Sequence, residues 1–141
     1  MNRILALDVG EKRIGLAVSD PLGITAQGLP TLQRMGLEED IQAIRRVIDQ
    51  YEVGELVMGF PKNMNGTIGP SAQKVLALKE YLEKEISLPI GLWDERLTSV
   101  SAERALLEGD LSRRKRKKKI DQVAAQLILQ TYLQFKKTSI L

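Results

Sequence analysis

The chain contains no cysteine and no histidine. The first absence excludes disulfides, a thiolate nucleophile and soft-metal sites; the second removes the commonest general base and the commonest zinc ligand. Aromatic residues make up only 4%, too few for an extended platform on which bases could stack. Long apolar runs are missing too, since none approaches the ~20 residues that a membrane-spanning helix requires. The N-terminal run MNRILALDVG is interrupted by Asp8, so it does not read as a signal peptide, and a cytoplasmic location with no membrane contact is expected. Any chemistry must therefore run on carboxylates, lysine, arginine, tyrosine, hydroxyls or a bound ion.

What remains is an ordinary globular composition, 43% hydrophobic and 28% charged over 141 residues. It predicts one domain over 1–141 with a single core, burying roughly 70% of the surface of the unfolded chain. The net charge of +3 conceals an asymmetry: the run Arg113–Lys119 (RRKRKKK) holds 7 of the 21 basic residues, leaving 14 basic against 18 acidic elsewhere. The positive charge is local, which suits either phosphate contact or a solvated segment.

Residues 3–9 and 14–19 are short apolar runs separated by Gly10–Arg13, a spacing that predicts a hairpin, and a third extended segment is expected between Ile24 and Gln33. Leu37, Ile41, Ile44, Ile48 and Tyr51 recur at helical intervals behind the acids Glu38, Glu39 and Asp40, which suit the first turn of a helix. ELVMGF (55–60) reads as a buried strand, Pro70 opens a second helix striped by Val75, Leu78, Leu82 and Ile86, and PIGLW (89–93) reads as another strand. Thr98 or Ser99 would cap a helix through 102–107 that stops at Gly109. After the basic run, Ile120, Val123, Ala124, Leu127, Ile128, Thr131 and Phe135 predict a terminal helix beginning at Ile120 with a broad apolar face. A hairpin followed by alternating helices and strands indicates an α/β fold on a mixed sheet, antiparallel first and parallel after.

In such sheets ligands bind beyond the carboxyl ends of the strands, where Asp8, Gly59 and the Asp94–Glu95 pair are expected. Two ionised carboxylates ~5 Å apart repel by about 3 kcal/mol at an effective dielectric of 20, and a divalent cation reverses that repulsion. All-oxygen ligation suits Mg2+ or Mn2+, whose chemistry needs no histidine. Each acid also has an ordinary explanation: Asp8 as a turn residue, Glu95 as a partner of Arg96 or a helix cap, Asp121 as a first-turn acid. The candidate nucleic-acid contacts are Arg13, Lys62, Asn63 and Arg96, together with Arg113, Arg114, Lys115, Arg116 and Lys117 of the basic run. Trp93 is expected in the core and not as a stacking platform.

The motifs LDVGEKRIGLAVSD (7–20), GFPKNMNG (59–66), DERLTS (94–99) and DQVAAQLILQTYL (121–133), in this order and spacing, resemble the YqgF (RuvX) family. The resemblance covers nearly the whole chain. It implies a ribonuclease H-like, five-stranded mixed sheet flanked by helices, with Asp8, Glu95 and Asp121 as catalytic, metal-binding acids. It also implies a nuclease acting on the 5′ end of pre-16S ribosomal RNA, with a pre-ribosomal particle as the wider setting, or else a Holliday junction resolvase. Related RuvC resolvases carry a second acid three residues after the first on the terminal helix, where this chain has Ala124. Ribosomal RNA precursor is therefore expected ahead of a DNA junction, with a monomer or weak homodimer as the working form. Two further readings compete: a nucleic-acid-binding factor without catalysis, and a phosphotransferase, because Asp-x-Gly also resembles the phosphate loop of actin-like ATPases. The latter need two such domains, and this chain has room for one.

Overall fold

Short continuous apolar runs at the N terminus, buried on both faces, build an antiparallel hairpin. β1 (Arg3–Val9) pairs with β2 (Arg13–Ser19), placing Leu5 opposite Val18 and Asp8 opposite Gly15. These coordinates are a computed structural model that describes residues 3–63, 65–97 and 113–140, with the side chains of 97, 113–119 and 138–140 outside the described set. β3 (Ala26–Gln33) extends the sheet antiparallel to β2. The intervening loop is braced by Asp20, whose carboxylate accepts the backbone N–H groups of Ile24 at 2.6 Å and Thr25 at 2.9 Å. Helix α1 (Leu37–Tyr51) then crosses over to β4 (Val53–Phe60), which lies parallel to β1, and α2 (Pro70–Glu85) crosses to β5 (Ile90–Asp94), parallel to β4. Among the described residues these strands form one five-stranded sheet in the order β3-β2-β1-β4-β5. The strand boundaries fall within two residues of the sequence reading. The helix expected over 102–107, with Thr98 and Ser99, lies outside the described residues.

Strand alternation sorts the sheet into two different faces. On one, Leu5, Leu7, Ile14, Leu16, Val18, Leu56 and Met58 pack against Ile41, Ile44 and Ile48 of α1 and Val75, Leu78 and Leu82 of α2. Each such side chain contributes about 1.5–3 kcal/mol by leaving water. The opposite face is lined by small residues and covered by α3 (Arg113–Ile140). A Cβ added to Gly15 would sit 2.1 Å from the Asp121 carbonyl oxygen; added to Gly28 it would lie 2.7 Å from Gln122 Cγ, and to Gly59 2.6 Å from Ile128 Cδ1. The helix lies this close only because those positions carry no side chain.

α3 departs from the sequence reading in two ways. It starts at Arg113 and not at Ile120, so the backbone of the basic run is helical. Arginine and lysine are good helix formers, no glycine or proline interrupts 110–141, and like-charge repulsion costs only about 0.2–0.5 kcal/mol per pair. Its buried face is also rotated from the predicted one: Ile120, Ala124, Ala125, Ile128, Leu129 and Leu133 are buried, whereas Val123, Leu127 and Thr131 are half-buried and Phe135 is exposed. Trp93 is buried in this layer, as expected, edge-on to Tyr132 and Phe135 at ring-centroid distances of 6.0 and 5.6 Å. No helix among the described residues is long and apolar enough to cross a membrane.

Candidate active site

Asp8 sits near the carboxyl end of β1, one position before Val9, on the face covered by α3, and is only 5% exposed. Burying a carboxylate among Leu7, Val9 and the sheet is costly unless charge or hydrogen bonds compensate it, so a simple turn role does not account for it. Its cross-strand partner is Gly15, and Gly15 lies directly beneath the backbone of Asp121. Asp121 is thereby fixed over β1 and β2. Because α3 begins at Arg113, Asp121 lies beyond the first turn, and the explanation through the helix dipole does not hold.

Glu95 reaches the same place from the other side. Leu7 of β1 pairs with Met58, and Gly59 pairs with Trp93, so Asp8 is the neighbour of Gly59 across the parallel ladder. A Cβ on Gly59 would stand 3.3 Å from Glu95 Cδ, which puts the Glu95 carboxyl above Gly59 on the α3 side. Glu95 opens a single 3-10 turn (Glu95–Leu97) after β5 and is 9% exposed. The neighbouring acid goes elsewhere: Asp94 accepts from Arg96 through Nη2 at 2.7 Å and Nε at 3.1 Å. That hydrogen bond holds the Asp94 carboxyl below the usual carboxylate range, while it pushes the Arg96 guanidinium up. The structure thus brings Asp8, Glu95 and Asp121 around the two glycines Gly15 and Gly59 and leaves Asp94 outside.

Among the described residues no three acidic side chains are grouped so that they could hold a metal ion as they stand. The Asp121 carboxylate is engaged by Arg13, whose Nε donates to Oδ2 at 3.1 Å. The donor chemistry of Asp8, Glu95 and Asp121 is nevertheless of the kind a divalent cation takes, hard carboxylate oxygens, and the space that a Cβ at Gly59 would take from the Glu95 carboxyl is open. Beside the acids, Gly10, Glu11, Lys12, Arg13 and Asp121 line an open depression of about 300 Å³. Glu11 within it is tied to Lys74 at 2.8 Å, which lowers its carboxyl below the usual range and leaves Lys12 and Arg13 as the cationic lining.

The other candidate contacts are dispersed. Lys62 Nζ stands 5.8 Å from the Phe60 ring centroid, in the loop that follows β4. Asn63 braces that loop: its Nδ2 donates to Thr67 Oγ1 at 2.8 Å and its backbone N–H to the Thr67 carbonyl at 3.0 Å. Gly66, with φ of 87°, closes the turn, and a Cβ there would lie 3.6 Å from Arg96 Nη1. The side chains of Arg113, Arg114, Lys115, Arg116 and Lys117 lie outside the described residues. Ala124 is 1% exposed, inside the layer between α3 and the sheet.

The sequence reading missed the device that holds the β1–β2 turn. Arg34 donates to the Gly10 carbonyl through Nη1 at 3.0 Å and to Asp40 Oδ2 through Nε at 3.2 Å, while its backbone N–H donates to the Lys12 carbonyl at 2.9 Å. Asp40, read only as a first-turn acid, is 4% exposed and also accepts the Met35 N–H at 2.9 Å. The available signal was its position four residues before Ile44, on the stripe that α1 buries.

Comparison with known proteins assigns the chain to a family. The sequence model of the RuvX family, described as Holliday junction resolvase, matches residues 2–135. A protein of Clostridium kluyveri is 56% identical over 131 residues, spanning 93% of this chain and 96% of its own length. One of Clostridium acetobutylicum is 57% identical over 131 residues, spanning 93% and 97%. Both bear the name "Putative pre-16S rRNA nuclease". Among solved structures, Thermus thermophilus RuvC in complex with a Holliday junction substrate superposes with a TM-score of 0.59 at 11% identity, covering 96% of this chain and 97% of that one. At that identity the likeness speaks for the fold alone, which is ribonuclease H-like. With a family match over residues 2–135 and relatives more than half identical along nearly their whole length, the chain belongs to the RuvX family.

Proposed function

We propose that this protein is a divalent-metal-dependent nuclease that hydrolyses phosphodiester bonds of RNA, acting at the 5′ end of pre-16S ribosomal RNA. The observation that carries the reading is the convergence of Asp8, Glu95 and Asp121 around Gly15 and Gly59, beside a depression lined by Lys12 and Arg13. Names carried by the relatives from Clostridium supply the substrate. Asp8 and Glu95, with Asp121, would hold magnesium or manganese. When bound, such a cation supplies Lewis-acid polarisation and neutralises charge developing on the phosphate. The protein's own share is positional. Arg13 and Lys12 bind non-bridging phosphate oxygens, Arg34 and Asp40 fix the turn that presents them, and the apolar layer around Trp93 and Ile128 keeps the carboxylates in a setting of low dielectric.

Labelled RNA carrying the 5′ leader of pre-16S ribosomal RNA, incubated with the purified protein, tests this. Cleavage in magnesium or manganese and none in excess chelator is expected. Equal cutting in both would refute the metal-dependent reading.

A further inference from the structure

Arg13 stands where two binding events meet. Its guanidinium pairs with Asp121 at 3.1 Å, both side chains being mostly buried at 19% and 21% exposure, and it also lines the depression with Gly10 and Lys12. A carboxylate neutralised by a guanidinium attracts a cation less, and a guanidinium neutralised by a carboxylate attracts phosphate less. Both backbones are fixed: Gly15 holds the main chain of Asp121 against β2, and Arg34 holds the Gly10–Arg13 turn. An exchange of partners therefore needs side-chain rotation only.

We propose that Arg13 is an exchangeable counter-ion. It pairs with Asp121 while the site holds neither cation nor nucleic acid. It passes to a non-bridging phosphate oxygen of the nucleic acid as the Asp121 carboxylate turns to a divalent cation, so that each ligand strengthens the binding of the other. The proposal rests on the nuclease reading of this site and adds to it a positioning residue that couples metal to substrate.

Two measurements test it without reading activity. In the first, a fluorescein-labelled oligoribonucleotide is titrated in excess chelator and followed by anisotropy. Asp121→Asn releases Arg13 and should bind about five- to tenfold more tightly than wild type. Asp8→Asn removes the same charge without releasing Arg13 and should gain less. The Asp121→Asn gain should vanish when Arg13→Ala is added. In the second, Mn2+ is titrated calorimetrically without nucleic acid, and Arg13→Ala should bind it about five- to tenfold more tightly than wild type. Equal gains in Asp8→Asn and Asp121→Asn that survive Arg13→Ala would overturn the proposal, as would Mn2+ affinity unchanged or weakened in Arg13→Ala. Either result makes Arg13 a fixed brace and leaves the nuclease reading standing. A wild-type protein that takes up no Mn2+ and cuts no RNA would instead overturn that reading.

Discussion

Asp8 and Glu95 keep their carboxyls in a nearly closed setting, at 5% and 9% exposure, where removing a negative charge lessens the cost of burial. Asp8→Asn or Glu95→Gln should therefore abolish RNA cleavage while leaving the melting temperature equal to or slightly above that of the wild type. Wild-type turnover in either variant would remove that carboxylate from the chemistry. The glycines beneath the site make a sharper prediction. At Gly15 an added methyl meets backbone, the Asp121 carbonyl at 2.1 Å, so Gly15→Ala should destabilise by about 3 kcal/mol or more in urea denaturation. At Gly59 the tightest contact is the end of the Ile128 side chain, which can rotate, so Gly59→Ala should cost about 1 kcal/mol. Its activity should fall further than its stability, because the same methyl displaces the Glu95 carboxyl. A Gly15→Ala variant with a wild-type denaturation midpoint would contradict the close approach of α3.

At the scale of elements, α3 carries two of the proposed contacts in one helix. Its first two turns carry the basic run, and the third presents Asp121 to the sheet. Replacing Arg113 to Lys117 with glutamine keeps helix propensity and removes charge. Loss of ~3 phosphate contacts should lower the slope of log affinity against log salt by about 2 to 3 units. An unchanged slope would make the run a solvated extension only. The far end of the helix is anchored differently. The Tyr132 hydroxyl donates to Glu55, and Lys136 pairs with the same carboxylate at 2.6 Å. Burial, with Glu55 beside it, pushes the Tyr132 phenol well above its ordinary value of 10. The folded state thus disfavours the phenolate. The stabilisation is complete below about pH 10 and is lost as pH rises, because the unfolded chain releases the proton first. Thermal unfolding followed from pH 9 to 11.5 should show a decline that is shallower in Tyr132→Phe; identical slopes would show that Tyr132 is not linked to folding.

For the whole molecule, the question is which nucleic acid the site serves. Junction resolution needs two active sites at a fixed separation, whereas trimming an RNA end needs one. The helix position three residues after Asp121, where the resemblance to RuvC resolvases leads one to expect an acid, is occupied here by Ala124 at 1% exposure inside the helix–sheet layer. An acid there would displace packing against the sheet. We therefore expect faster cleavage of precursor RNA with a flexible or single-stranded segment than of a four-way DNA junction, in competition at equal concentrations. Symmetrical nicking of the junction at the higher rate, by a protein that sediments as a dimer, would restore the resolvase reading.

The sequence by itself determined the order and type of the strands and of α1 and α2, because short apolar runs and period-3.6 patterns are local and were strong over 3–19, 37–51 and 70–86. It also singled out Asp8: a charged residue between Leu7 and Val9 conflicts with a buried strand whatever the rest of the chain does. The face of α3 was not legible. Ile120, Val123, Ala124, Leu127, Ile128 and Leu133 cover so wide an arc that several orientations bury a comparable area, and the choice fell to the glycines of the sheet, which admit the Asp121 backbone, Gln122 and Ile128 at closest approach. Residue pattern alone did not separate Asp94 from Glu95, adjacent carboxylates that differ only in direction, and the choice of Glu95 came from the family resemblance. Pairing of β5 with β4 set Glu95 over Gly59 and turned Asp94 to Arg96. The contacts Arg13–Asp121 and Arg34–Gly10 join residues 108 and 24 positions apart, a separation that only the folded sheet closes.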